Sequence, residues 1–166
     1  MKQNLTKEVK IITFEDATLR FKNFRGAEKK FNAAGTRNFN VVVEPEMAQE
    51  LIELGFNVKE YTAEEGDSPE YMLKVNVSYK FRGPNVTLIS SSGKTMLDED
   101  TIEILDSSFI EKVDFNVNVS QYSNAQGDGY SLYLRNMYVS IEEDDLQQKY
   151  ANVDTSEEFL NMGHEF

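Results

Sequence analysis

Residues 19–43 read LRFKNFRGAEKKFNAAGTRNFNVVV, and they form the basic region of an otherwise acidic chain. The first 40 residues hold nine Lys or Arg and four Asp or Glu, although the whole chain of 166 residues has a formal net charge of −12. Cations alternate with phenylalanines throughout the stretch. Such a pattern suits a flexible polyanion with unstacked bases, because cations hold phosphates and rings stack on bases. A pair of strands with buried rings and solvated cations explains the pattern equally well.

The composition limits the class of protein. A chain of 166 residues, 40% hydrophobic, is long enough for one domain with a real core and a tail. No apolar run approaches the length of a membrane span, and the N-terminus lacks the apolar centre of a signal peptide. The absence of Cys excludes disulfides and favours a reducing compartment, so we expect a cytoplasmic protein. The only His, His164, lies near the C-terminus, which argues against His-ligated metal sites and His-based triads.

Alternating apolar and polar residues predict a mostly antiparallel β domain, either a barrel or a sandwich. The first strand should be long and bent near Glu15, and the last should carry a β-bulge near Arg135, where its apolar parity slips. One helix is predicted over 45–54, between Pro45 and Gly55. Residues 98–105 suggest a helical turn. The predicted strands are 9–24, 37–44, 56–61, 71–81, 86–89, 113–122 and 130–141.

Two motifs that suggest other chemistry are weak. The sequence Ser92-Gly93-Lys94-Thr95 imitates the end of a P-loop, but position 88 is Leu where the motif requires Gly. The acidic run at Asp98-Glu99-Asp100 lacks the further ligands and the glycine of an EF-hand. We therefore predict no metal site, while a metal-dependent nuclease that uses Asp98 and Asp100 stays an alternative of low rank.

The C-terminal segment 142–166 reads EEDDLQQKYANVDTSEEFLNMGHEF, with eight acidic residues and one Lys. A purely solubilising tail does not need its aromatic and aliphatic side chains. Carboxylates that steer towards a basic patch, together with rings that fill an apolar pocket, are typical of a segment that docks on a partner. The same segment can fold back onto the basic region and compete with a polyanion. The residues predicted to act in this way are Asp144, Asp145, Glu157, Glu158, Phe159 and Phe166.

At the level of segment order, the chain resembles bacteriophage single-stranded DNA-binding proteins of the oligonucleotide/oligosaccharide-binding (OB) fold. The matching pieces are NFRGAEKKFNAAGTRNFNVVV, the predicted helix with GFNVKEY, KTMLDEDTIEILD and YLRNMYVSIEEDDLQQKY, followed by an acidic tail that ends in Phe166. The resemblance implies a five-stranded, OB-fold-like closed barrel with extra strands and one helix, plus a flexible acidic tail. It also implies action in phage DNA replication or recombination in the host cytoplasm, protein partners of that kind for the tail, no membrane association and no cofactor.

We therefore predict a non-catalytic protein that binds single-stranded DNA through residues 1–141, with 142–166 as its tail. A structural capsid or tail protein of phage is the main alternative, and self-association is left open. Phe21, Phe39, Phe81 and Phe115 are assigned to the core. Phosphates should be held by Arg20, Lys22, Arg25, Lys29, Lys30, Arg37, Lys74, Lys80, Arg82 and Arg135. Bases should stack on Phe24, Phe31, Tyr79, Tyr122, Tyr133 and Tyr138.

Overall fold

The computed structural model describes residues 10–143, which form nine strands and two short helices. In chain order these elements are β1 (Ile11–Phe14), β2 (Leu19–Asn23), β3 (Arg37–Val43), α1 (Pro45–Glu53), β4 (Lys59–Tyr61), β5 (Glu70–Val77), β6 (Asn85–Ser90), β7 (Gly93–Leu97), α2 (Ile104–Ser107), β8 (Ile110–Asn124) and β9 (Gly127–Ile141).

The strands form one sheet with the order β1-β8-β9-β5-β3-β2. β4 pairs with β5, and β6 of the β6–β7 hairpin pairs with β9. Most pairs are antiparallel, as predicted, but β9 runs parallel to both β5 and β6. The prediction of a mostly β domain is therefore confirmed.

The predicted first strand, 9–24, is two strands that lie at opposite ends of this path. β1 pairs with β8, whereas β2 pairs with β3. Between them Asp16 has a φ of 49°, in the left-handed region, which interrupts the extended backbone. The linking residues bond to both sides, since Ala17 N donates to Val113 O and Thr18 O accepts from Val42 N. A single bent segment thus reaches two separate parts of the sheet.

The predicted bulge in the last strand is confirmed. Asn116 pairs with Asn136 and Val117 pairs with Leu134, so Arg135 is the extra residue. The Asn116 side chain accepts a hydrogen bond from the backbone N–H of Asn136 at 3.1 Å. This bond gives a partner to a backbone donor at the irregular point of the β8–β9 pairing. The bulge restores the inward parity of Met137 after Leu134.

The two helices agree in part with the predictions. α1 begins at Pro45 as expected, buries Ala48 and Leu51, and is followed by Gly55 with a φ of 98°. α2 lies at the end of the predicted helical turn, so the structure has one short helix more than expected. β7 was not predicted, because a turn was expected at 90–94 and no strand after it. Within residues 10–143, neither helix is long and apolar enough to cross a membrane.

The core contains two of the four phenylalanines assigned to it. Phe39 and Phe115 are buried and meet edge to face, with ring centroids 5.3 Å apart. The assignment is wrong for Phe21 and Phe81, which are 54% and 100% exposed. Phe21 has a φ of 51°, which breaks the alternation of its strand. Phe81 lies beyond the last residue of β5, where no neighbouring strand covers it.

Helix α2 is fastened to the end of β2 by one carboxylate and one ammonium group. The Asp106 side chain accepts hydrogen bonds from the N–H groups of Phe24 and Arg25 at 2.7 and 2.9 Å. The Lys22 ammonium donates to Leu105 O and Ser108 O at 2.6 and 2.7 Å. These bonds hold the last turn of α2 against the start of the loop that follows β2.

Tyr79 packs beneath the loop that follows β5. A Cβ placed on Gly83 would overlap its ring, and the Arg37 guanidinium lies 5.5 Å from the ring centroid. Its hydroxyl is buried and has no hydrogen-bond partner within the described part of the chain. Burial raises the pKa of Tyr79 above its usual 10.0, and the charge of Arg37 opposes that shift.

Replacing Asp106 by Ala should lower the free energy of unfolding by about 1–3 kcal/mol, because two backbone donors lose their acceptor. Urea denaturation followed by circular dichroism measures the change. Asp100→Ala is the matched control, since this exposed carboxylate lies in the preceding turn. The control should change stability by less than about 0.5 kcal/mol. Equal effects of the two substitutions would show that Asp106 does not fasten α2.

Replacing Tyr79 by Phe should leave stability at neutral pH unchanged or raise it by up to about 1 kcal/mol, because it removes an unpaired buried hydroxyl. The pKa is raised in the folded state, so the unfolded state ionises first. Wild-type stability should therefore fall as the pH rises through 10.0, and the Phe variant should lose less there. Urea unfolding across this pH window compares the two proteins. A clear loss of stability at neutral pH would contradict the prediction.

Candidate nucleic-acid interface

One surface of the sheet carries uncharged polar side chains instead of apolar ones. Asn38 and Asn40 on β3 lie opposite Asn76 and Lys74 on β5. Asn76 in turn lies beside Tyr133 on β9, which pairs with Asn118 on β8. These residues alternate with buried ones, so they point away from the core. We call this surface the amide–tyrosine face, and its residues are Asn38, Asn40, Lys74, Asn76, Asn118 and Tyr133.

A second tyrosine extends this face along the β8–β9 hairpin. Tyr122 pairs with Gly129, and a Cβ on Gly129 would overlap the Tyr122 ring. The ring therefore rests directly on the glycine, and its side chain is 40% exposed. Tyr133 is exposed to a similar extent, at 39%. Both rings present flat surface to solvent on the same hairpin.

The loop between β2 and β3, residues 24–36, projects a fully exposed aromatic ring. The side-chain amide of Asn32 donates to Ala27 O and Thr36 O, each at 2.9 Å, so the loop is held by its own backbone. Phe31 is 92% exposed at the tip. The Lys30 ammonium lies 5.4 Å from its ring centroid. We call residues 24–36 loop A.

The loop between β5 and β6, residues 78–84, repeats this arrangement. Its tip reads Lys80-Phe81-Arg82, and Phe81 is 100% exposed. Arg37 at the start of β3 contacts Tyr79 at the start of this loop, so the two loops leave the sheet from neighbouring positions. We call residues 78–84 loop B. The sequence signal for Phe81 was its position between two cations, which matches Lys30-Phe31 in loop A.

The charges of the two loops differ from those at the other end of β5. Loops A and B expose five cations, and none of them has an ion-pair partner within residues 10–143. The loop that precedes β5, residues 62–69, exposes Glu64, Glu65 and Asp67. The exposed charges therefore change along β5, from three carboxylates before it to five cations and Glu28 in the two loops, although Glu99 and Asp98 also act on Tyr79. The five cations are Arg25, Lys29, Lys30, Lys80 and Arg82.

Three of the predicted phosphate-binding cations are engaged within the protein. Arg20 makes a bidentate ion pair with Glu70, with both nitrogen–oxygen distances at 3.1 Å. Lys22 is half-buried against α2, and burial lowers its pKa while the charge of Asp106 opposes the shift. Arg37 donates to Phe24 O at 2.7 Å. These three side chains form hydrogen bonds within the protein, so we leave them out of the residues proposed to bind phosphate.

Phe24 is also misplaced by the sequence prediction. Its ring is fully buried and stacks on Phe39 with centroids 5.1 Å apart. Asp106 holds its N–H, so the residue turns inward where the chain leaves β2. It cannot offer a surface to a base without opening the core. Tyr79 is removed from the stacking set for the same reason, because its hydroxyl is buried and its ring supports loop B.

Arg135 and Tyr138 lie on β9 beyond Tyr133. Arg135 is the bulged residue, between the positions that pair with β5 and those that pair with β6, and it is exposed at the base of loop B. Tyr138 is 53% exposed, but its neighbours are Thr87 and Asp114. The structure thus brings Arg135 near loop B and places Tyr138 outside the amide–tyrosine face.

The acidic run at Asp98 has a structural role. One carboxylate oxygen of Asp98 accepts hydrogen bonds from Asp100 N, Thr101 N and the Thr101 hydroxyl, at 2.9 to 3.0 Å. These bonds lower the pKa of Asp98. Among residues 10–143, no group of three or more acidic or His side chains is placed to hold a metal ion. The six residues predicted to act in the tail lie outside the described residues.

Comparison with known proteins finds the same fold in a phage protein. The C-terminally truncated single-stranded DNA-binding protein of bacteriophage Enc34 matches with a TM-score of 0.52 and 11% identity, over 87% of this chain and 98% of that one. The same protein in complex with ssDNA matches with a TM-score of 0.52 and 11% identity, over 81% and 88%. The single-stranded DNA-binding protein gp2.5 of bacteriophage T7 gives 0.42 and 11%, over 89% and 97%.

At the level of sequence, curated proteins yield no significant match. A family model does match, over residues 1–165, and its description is "Putative phage ssDNA-binding domain". The match spans nearly the whole chain and agrees with the resemblance seen in the sequence and with the prediction of a protein that is not an enzyme. The chain therefore belongs to this family of phage single-stranded DNA-binding proteins.

Proposed function

We propose that this protein binds single-stranded DNA, without regard to sequence, along the amide–tyrosine face and across the tips of loops A and B. One observation carries the proposal: two neighbouring loops each present a Phe that is at least 92% exposed, next to cations without an ion-pair partner within residues 10–143. Exposed apolar rings are costly in water, so their pairing with cations indicates a ligand that offers both flat bases and phosphates.

The bases are held by four rings in two groups. Phe31 and Phe81 stand at the loop tips, and Tyr122 and Tyr133 lie on the β8–β9 hairpin. Stacking is tolerant of sequence because every base has a π face, and each stack contributes about 1–3 kcal/mol. In a duplex the base faces are stacked on one another, so the rings select unpaired strands.

The phosphates are held by exposed cations. The five loop cations lie at one end of β5, Arg135 stands at the base of loop B, and Lys74 occupies the centre of the amide–tyrosine face. Most of these charges sit in or beside the loops, so the backbone of the strand should run past the loop tips. Neutralised phosphates release counterions, and the affinity should fall as salt rises.

The shared fold supports this proposal, because the Enc34 protein is seen in complex with ssDNA. By analogy with that family we propose that β1 and β2, which one bent segment connects, close the sheet into an OB-like barrel. We further propose that the protein acts in phage DNA replication or recombination in the host cytoplasm. Residues 142–166 would form a separate acidic tail that recruits proteins of these processes.

Fluorescence anisotropy of a labelled oligo-dT of roughly 30 nucleotides tests the proposal, since such folds cover about 4–16 nucleotides. The wild type should bind it, resist displacement by duplex, and show a log–log salt slope of about −0.7 per phosphate neutralised. The double variant Phe31→Ala/Phe81→Ala should lose about 2–6 kcal/mol of binding free energy, because it removes two stacking rings. Ile52→Ala, an exposed apolar residue on α1, is the control and should bind like the wild type.

Two results would contradict the proposal. Absence of binding by the wild type at low salt would remove the function itself. Wild-type affinity in the double variant would show that DNA does not contact the loop tips.

Deleting residues 144–166 should tighten the binding of oligo-dT at low salt, because an acidic competitor for the loop cations is lost. The cut is placed after Glu143 because its carboxylate accepts hydrogen bonds from Ser91. Titrations at two salt concentrations measure the effect, which should shrink as salt rises. Unchanged or weaker binding after the deletion would refute competition by the tail and leave only its role in recruiting partners.

A further inference from the structure

A pair of aromatic rings, distinct from the four rings proposed to stack on bases, lies at the acidic end of β5. Phe21 on β2 and Tyr61 on β4 meet edge to face, with ring centroids 5.1 Å apart and an interplanar angle of 86°. Their side chains are 54% and 42% exposed. β2 and β4 are not paired with each other, since β3 and β5 lie between them. The two rings therefore meet above the outer surface of β3 and β5.

Backbone strain turns Phe21 to that surface. Its φ of 51° lies in the left-handed region, which residues other than Gly adopt at a cost in free energy. The regular pairing of β2 with β3 is interrupted between Arg20 and Asn23. In a regular strand Phe21 would face the core, as the alternation of the sequence predicts. Strain of this kind persists where the surrounding structure holds a side chain in a required position.

Met72 gives this pair of rings an apolar base. It lies on β5 between Val42 of β3 and Lys59 of β4, at a position that shares the outer surface with Lys74. Even so, it is only 2% exposed, and it is absent from the main hydrophobic core. Because β2 and β4 flank β3 and β5, the rings of Phe21 and Tyr61 meet on the side of the sheet that Met72 faces. A small apolar platform thus sits at one end of an otherwise polar surface.

The charges around the platform favour a base over a phosphate. Of the cations beside the platform, Arg20 is neutralised by its bidentate pair with Glu70, and Lys59 lies opposite Met72 on β4. The chain leaves Tyr61 directly into the acidic loop 62–69. A phosphate placed here would meet carboxylates, whereas a base needs only flat apolar surface. The ion pair also ties β2 to β5 across the outer surface, which keeps the rings together.

We propose that Phe21 and Tyr61, supported by Met72, form a subsite that stacks a nucleobase of bound single-stranded DNA, at the end of the amide–tyrosine face opposite loops A and B. The inference rests on the proposed function and extends it. The loops hold phosphates and bases together, while this subsite holds a base through the flat apolar surface of its rings. Its contribution to affinity is therefore independent of salt.

The test compares full-length variants in oligo-dT binding at several salt concentrations. Tyr61→Leu and Phe21→Leu keep an apolar cover for Met72 but remove the flat ring. Each should weaken binding roughly 5- to 100-fold, which corresponds to the loss of one stacked base, without changing the log–log salt slope. Tyr61→Phe should restore wild-type affinity. Met96→Ala removes a 61% exposed apolar side chain from β7 and serves as the control.

The outcomes separate this inference from the proposed function. If the wild type binds and both Leu variants bind equally well, the subsite does not exist, although the loops still bind DNA. A Leu variant that changes the salt slope would also overturn the proposal, because its effect would then act on phosphate contacts. Thermal unfolding of each variant shows whether it is folded, and Tyr61→Leu, on the short exposed strand β4, decides the matter if Phe21→Leu is unstable. If the wild type itself fails to bind, both proposals fall.

Discussion

The change of partner along β9, at the extra residue Arg135, is the constraint on which the arrangement of the proposed binding surface depends. Before the bulge, β9 pairs with β5 through Leu132 and Tyr133, and after it β9 pairs with β6. Because both partners run parallel to β9, the chain must leave the sheet between them, and loop B forms at that point. Asn116 takes the backbone donor of Asn136, so the change of partner leaves no unpaired N–H there. The change of partner thus determines where the Lys80-Phe81-Arg82 tip emerges.

The basic stretch that dominates the sequence serves two purposes, and the structure divides it between them. Lys22 and Arg37 donate to backbone carbonyls, and Arg20 pairs with Glu70, so these cations stabilise the junction of β2, α2 and β5. Phe24 joins the core beside Phe39. The cations and the ring in the middle of loop A are left to solvent. The cations that bond within the protein position loop A, and the exposed cations of loop A are available to a ligand.

Local patterns predicted those parts of the fold that local patterns control. Alternation predicted most of β3, β5, β8 and β9, and the slip in parity predicted the bulge. Proline and glycine predicted α1. Two features were not predicted. The break at Asp16 allows β1 to pair with β8, which is distant in sequence, and Phe21 turns away from the core because of its positive φ. For the candidate site, composition located loop A, but only the pairing of β4 with β5 brings Tyr61 to Phe21.

A net charge of −12 argues against a polyanion as ligand, but the distance between the charges weakens that argument. The outer positions of β5 run from Met72 beside the acidic loop to loop B, which begins at residue 78, and six residues of strand span about 20 Å. The Debye length at physiological salt is about 8 Å, so carboxylates at one end barely affect phosphates at the other. What a bound strand would meet is the local charge, which at the loop tips is that of five exposed cations and Glu28. In the proposed mode of binding, a chain that is acidic overall would therefore hold phosphates at one end of a strand and a base at the other.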